Sequence, residues 1–173
     1  MNFNYIKIKF LKALSLPKPR SLILGNNPKF LILMNQKIGD MIVCSPILRE
    51  LKKAYPKCNL QVIASKNNHE IATTNPNIDV VHIYENKWNK LLPLLIKLRA
   101  NPFDISIELE AKIVTRVILM LRIIRPSCIL SVSKREGRYG IRPQDFSSYD
   151  FYTDQKLIHQ RDTCLDILRL LDI

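Results

Sequence analysis

Glycine occurs only four times in this chain. None of the four stands in a Gly-x-Gly-x-x-Gly run or ahead of a Lys-Ser/Thr pair, so neither a dinucleotide fingerprint nor a P-loop is present. With ten prolines beside so few glycines, collagen-like and low-complexity classes are excluded as well. The four cysteines (Cys44, Cys58, Cys128, Cys164) show no Cys-x-x-Cys spacing and no nearby histidine pair. No zinc or other metal site and no disulfide framework is expected, and all four read as buried thiols. No apolar run approaches the ~18–20 residues needed to span a bilayer. Acid is missing altogether from Met1 to Gly39, where Lys7, Lys9, Lys12, Lys18, Arg20, Lys29 and Lys37 stand unopposed.

That local imbalance belongs to a general one. The chain has 173 residues, 27 of them Lys or Arg against 15 Asp or Glu, a formal charge of +12. Such a surplus attracts phosphate-bearing partners: nucleic acid, an anionic membrane surface or a phosphorylated sugar. No RRM, KH or helix-turn-helix pattern is present and aromatics are not interleaved with the basic runs, so a nucleic-acid-binding module is the less favoured reading. The length and the 47% hydrophobic content suit one domain with at most an extra arm.

Residues 1–28 read as that arm. If Tyr5 to Ser15 is helical, Ile6, Phe10, Ala13 and Leu14 share a face, with Lys9 and Lys12 elsewhere. It could lie on an anionic bilayer surface or pack Ile6 and Phe10 on the domain. Lysines interrupt the apolar stretch and no small-residue cleavage site follows, which argues against a signal peptide. The chain is expected in the cytoplasm, with peripheral membrane contact.

From Lys29 onward strands and helices alternate. Lys29–Met34 is a continuous apolar run, the mark of a strand buried on both faces. Ser45-Pro46 reads as the N-cap and first residue of a helix that Pro56 ends. Strands are expected at Leu60–Ala64, Asp79–Tyr84, Asp104–Leu109 and Cys128–Val132, and helices at His69–Thr74, Lys90–Arg99, Lys112–Arg125 and Leu157–Leu171. Ser133–Asp154 reads as a long loop. The alternation predicts a Rossmann-like parallel sheet flanked by helices, with ligands bound beyond the carboxyl ends of its strands. Asn35–Ser45, Glu110–Lys112 and Ser133–Gly140 are the turns that lie there. In the first, Gly39 permits a tight backbone turn. Asp40 follows it at the mouth of the cleft, placed either to take a proton from a sugar hydroxyl or to cap the next helix.

The stretch KFLILMNQKIGDMIVCSPILRELKKAYPKCNLQVIAS resembles the opening of glycosyltransferase family 9, the lipopolysaccharide heptosyltransferases. That family starts with an apolar strand, a polar turn ending Ile/Met-Gly-Asp and a Pro-opened helix ending Tyr/Phe-Pro. NPNIDVVHIYENK, PFDISIELEAKIVTRVILMLRII and HQRDTCLDILRLLDI resemble later family segments in order and spacing, so the likeness runs from about Lys29 to Ile173. Glu108, Glu110 and Ala111 depart from it, standing where the family has Asp, Gln and Gly.

The resemblance implies that residues 29–173 form the acceptor-side, N-terminal half of a GT-B fold. It implies inverting, metal-independent transfer without a resident cofactor, from ADP-heptose or another sugar nucleotide to a lipopolysaccharide core or other anionic glycolipid. Asp40 would be the base. Gly39, Lys37, Arg116, Lys134, Arg135 and Arg138 would contact acceptor, the cations by pairing with phosphates and acidic sugars. The work would take place at the cytoplasmic face of the inner membrane. A donor domain of similar size follows in the family. The chain is expected to lack it and to bind sugar nucleotide negligibly, as a truncated, inactive transferase or as a one-domain relative that binds acceptor or membrane without transferring.

Overall fold

The computed structural model describes residues 9–10, 13, 22–35, 37–134, 149–153 and 159–173. Its strands are β1 (Lys29–Met34), β2 (Asn59–Ser65), β3 (Val80–Tyr84), β4 (Ile105–Glu108), β5 (Cys128–Ser131) and β6 (Phe151–Tyr152). All pair in parallel, in the order β3-β2-β1-β4-β5-β6. The apolar run Lys29–Met34 is central, as its composition predicts, between β2 and β4. The helices are α1 (Ile38–Cys44), α2 (Pro46–Ala54), α3 (His69–Thr74), α4 (Trp88–Arg99), α5 (Thr115–Ile124) and α6 (Gln160–Leu165), the last running on as a 3₁₀ turn over Asp166–Leu171.

Alternation along each strand feeds two cores. Phe30, Ile32 and Met34 pack with Met41, Leu48, Leu51 and Cys164 of α1, α2 and α6. Leu31, Leu33 and Ile63 face Leu91, Leu95, Val117 and Leu121 of α4 and α5. Helices thus cover both faces of the sheet, as in a Rossmann-like fold.

Three aspartates close the amino ends of the strands by one repeated device. Asp79, Asp104 and Asp150 each stand one residue before a strand. Their carboxylates accept the N–H groups of Leu60, Lys29 and Ile129 at 2.6, 2.8 and 2.7 Å. Their own N–H groups donate to the carbonyls of those same residues. A ladder's first N–H lacks a strand partner, and a charged acceptor there contributes roughly 1.5–3 kcal/mol.

Several boundaries differ from those expected. Ser45 is no N-cap: the helical stretch begins at Ile38, and Ser45 is itself helical, its hydroxyl donating to the Ile42 carbonyl at 2.8 Å. Pro46 has no N–H to give that carbonyl, so the ladder breaks there and α2 starts. Helix α5 begins at Thr115 rather than Lys112. The expected Ser133–Asp154 loop contains β6, and Tyr149 before it is buried. Of the expected arm helix, Lys9, Phe10 and Ala13 are helical and exposed; Ile6 and Leu14 lie outside the described residues.

His82 in β3 is buried, with its Nε2 2.7 Å from Gln61 Oε1. Burial, helped by Lys97, holds its pKa below the ordinary imidazole value. The unfolded chain therefore takes up a proton that the folded chain refuses, in a window running from about pH 6.5 down to the folded pKa. Stability falls as pH falls through that window. Thermal melts between pH 7 and 5 should show a steeper decline for the parent chain than for His82→Gln; parallel declines would remove His82 as the cause.

Candidate functional site at the switch point of the sheet

Strand order reverses between β1 and β4, and in open parallel sheets the ligand crevice lies beyond the carboxyl ends at that point. The connection leaving β1 supplies Lys37, Gly39 and Asp40, while β4 and the segment after β5 supply Glu108, Glu110 and Lys134. Its base is fastened by buried Asn68, whose Nδ2 donates to the Met34 carbonyl at 2.8 Å and whose Oδ1 accepts the Ser65 N–H at 2.7 Å.

Asp40 is the third residue of α1 and half-buried. Its Oδ1 accepts from Gln160 Nε2 at 3.3 Å, at the first turn of α6. Among the described residues Oδ2 accepts no hydrogen bond. Lys37, exposed and extended, is the N-cap residue of α1, and no side-chain cap bond forms there, so Asp40 is not the helix cap. One turn further along the same two helices Cys44 is joined to Cys164, with Cα atoms 5.7 Å apart. This corrects the expectation of four thiols: the two cysteines stand 120 positions apart, and only the packing of α1 on α6 brings them together. Cys58 and Cys128 are buried free thiols as expected.

Gly39 lies within α1 rather than in a tight turn, and its φ is not in the left-handed region. A Cβ built on it meets nothing within 4 Å. The bare backbone is therefore not demanded by conformation or by neighbours. Gly39→Ala should raise stability by up to about 1 kcal/mol through helix propensity. A lower melting temperature would mean that the glycine serves the fold after all.

Lys134 does not fit the expectation of a ligand-facing cation. Its side chain is buried, its ammonium paired with the Glu108 carboxylate and donating to the Glu110 carbonyl. Nζ also lies 4.9 Å from the centre of the Tyr149 ring. Glu108 accepts in addition from the Ser131 hydroxyl at 3.0 Å and the Glu110 N–H at 2.7 Å. Burial strips water from the ammonium and holds the Lys134 pKa well below the usual lysine range. The pair is a structural brace beneath the rim.

Arg116 is likewise committed: its guanidinium donates to Tyr84 Oη at 3.2 Å and to the Asn86 carbonyl at 2.7 Å, and lies 5.1 Å from the Trp88 ring centre. It ties the β3–α4 turn to α5 on the face of the sheet opposite α1. Arg135 and Arg138 lie outside the described residues. The structure thus keeps Lys37, Gly39 and Asp40 together on one turn and draws Arg116 and Lys134 into other contacts. Sequence reasoning missed Gln160, Asn68 and the Glu108 brace. Of the three only Glu108 carried a signal, as an acid inside an apolar strand.

No protein-family model matches the chain. It is 24% identical over 163 residues to lipopolysaccharide heptosyltransferase 3 of Escherichia coli K12, covering 78% of this chain and 47% of that protein. A second Escherichia coli protein of the same name is 28% identical over 90 residues, covering 48% and 26%. Among solved structures, a family 9 glycosyl transferase from Veillonella parvula superposes with a TM-score of 0.67 at 21% identity, over 87% of this chain and 43% of that one. The Escherichia coli heptosyltransferase WaaC with ADP superposes with a TM-score of 0.65 at 14% identity, over 82% and 46%. The chain spans less than half the length of each.

Proposed function

Because the chain is heptosyltransferase-like, in the manner of glycosyltransferase family 9, we propose that its α/β domain is the acceptor-binding part of a sugar transferase with Asp40 as general base. The observation that supports this is the setting of Asp40. It stands on the switch-point rim, held through one oxygen by Gln160, with the other oxygen open to a ligand proton.

In the proposed reaction an acceptor hydroxyl gives its proton to Asp40 as its oxygen bonds to the anomeric carbon of a sugar nucleotide. The bond from that carbon to the donor phosphate breaks, and the nucleoside diphosphate leaves with the electron pair, inverting the configuration. The donor is ADP-heptose or another sugar nucleotide, and the acceptor a lipopolysaccharide core or similar anionic glycolipid. Lys37, exposed one turn before Asp40, pairs with acceptor phosphate, joined by Arg135 and Arg138. The reaction is placed at the cytoplasmic face of the inner membrane. In that reducing compartment the Cys44–Cys164 pair is held as two thiols.

Calorimetric titration with a soluble core oligosaccharide bearing acidic sugars and phosphate tests the acceptor assignment. Saturable binding that Lys37→Glu weakens is expected. A folded chain that ignores the oligosaccharide would sink it.

A further inference from the structure

Helix α4 turns an apolar line away from the core it helps to build. Leu91, Leu95 and Leu98 bury one side. On another side Trp88, Leu92 and Ile96 are 44%, 44% and 57% exposed. Spacing of four residues sets these three one above another along the helix. Helix α5 packs beside α4 and adds Leu119 and Ile123, both half-buried. Scattered exposed apolar side chains are ordinary, but a continuous line of them is an interaction surface in want of a partner.

Charge says which partner. Neither α4 nor α5 contains an acid, although together they carry Lys90, Lys97, Arg99, Arg116 and Arg122. The Arg116 guanidinium over the Trp88 ring holds that indole in place at the start of the line. A second copy of this chain would bring the same cations against these, at a repulsive cost. An anionic bilayer offers phosphates for the basic side chains and an acyl boundary for the apolar ones, and tryptophan favours that interface. No helix among the described residues is long and apolar enough to cross a membrane, so the contact is with its surface.

We infer that the α4–α5 face docks on an anionic lipid bilayer, with Trp88, Leu92 and Ile96 entering the headgroup–acyl boundary and Lys90, Lys97 and Arg99 facing lipid phosphate. Trp88 lies just past the carboxyl end of β3, on the rim that carries Asp40. Docking therefore lays α4 along the membrane and holds that rim at headgroup height, where a glycolipid displays its sugars. The purpose of the docking rests on the acceptor reading above; the binding itself does not.

Trp88 is the one tryptophan of the chain, so its fluorescence reports this face alone. The full chain is mixed with vesicles of phosphatidylcholine and phosphatidylglycerol in equal parts, or of phosphatidylcholine alone, with no glycolipid or sugar nucleotide present. Expected are co-sedimentation with the anionic vesicles only, a shift of Trp88 emission to shorter wavelength, and quenching by lipids brominated along the acyl chain. Leu92→Glu/Ile96→Glu, at exposed positions, should keep the parent melting curve and lose roughly tenfold or more in vesicle affinity. Binding with unshifted, unquenched Trp88, or binding that the double variant retains, assigns the membrane contact to another surface and overturns the inference. So does absence of binding, or a dimer of the parent chain that the double variant dissociates. Titration with soluble oligosaccharide involves no bilayer, so either result can fail without the other.

Discussion

Asp40→Asn is expected to lower sugar transfer by about 10²–10⁴-fold when the chain acts together with a sugar-nucleotide-binding partner domain, the range a general base contributes. Asparagine has nearly the same size and its carbonyl oxygen can still accept from Gln160 Nε2, so the rim should keep its shape. What it cannot do is take the acceptor's proton. The structural rival predicts something different. As an acid in the first turn of α1, Asp40 interacts favourably with the helix dipole, a contribution of about 0.3–1 kcal/mol that asparagine would forfeit. Loss of that size lowers the melting temperature slightly and leaves the rate of the folded protein alone. Rate and melting curve measured on one preparation therefore separate the two roles. An unchanged acceptor affinity with collapsed turnover supports the base, whereas retained turnover with a small loss of stability makes Asp40 structural.

Lys134→Met should destabilise the fold by about 3–5 kcal/mol, because it leaves the Glu108 carboxylate buried without its cation. For a domain of this size each kcal/mol moves the melting temperature by roughly 2–4 °C, so the shift is on the order of ten degrees. Joint replacement, Glu108→Gln with Lys134→Met, should recover most of that loss. The glutamine carbonyl can still accept from the Ser131 hydroxyl or the Glu110 N–H, and methionine fills the space beside the Tyr149 ring without a charge. A double-mutant cycle read by denaturant unfolding measures the coupling directly. If the single substitution costs less than about 1 kcal/mol, the pair is not the brace described above.

The frame of the molecule was legible in its sequence because burial imposes patterns that composition reveals. Lys29–Met34 is apolar without interruption because both of its faces are covered, and helices bounded by prolines or turn residues sit between strands where expected. Phe151–Tyr152 was not legible. Two residues in a polar stretch carry no periodicity, and they become a strand only because Asp150 clamps onto Ile129 of β5. Ser45-Pro46 carries the signs of a helix start, yet marks a break within a longer helical stretch. Asp40 stood out through its neighbours in sequence, but Gln160 is 120 positions away and nothing local announces it. Lys134 sits in a run of polar residues that looks solvated, and its burial follows from Glu108 needing a cation. The lesson is that an acid within an apolar strand should start a search for its partner.

The link between α1 and α6 has a topological consequence. When Cys44 and Cys164 are oxidised, the intervening chain becomes a closed covalent ring, and β2 through β6 all belong to it. Only β1 and the chain ends hang outside. One backbone cut within the ring turns it into an open string whose parts remain attached, so the molecule keeps its mass and travels as one species until a thiol reductant is added. A cut on the β1 side of Cys44 sheds a fragment at once. The oxidised protein can therefore be nicked in most of its length and still look whole, while its reduced form shows every cleavage.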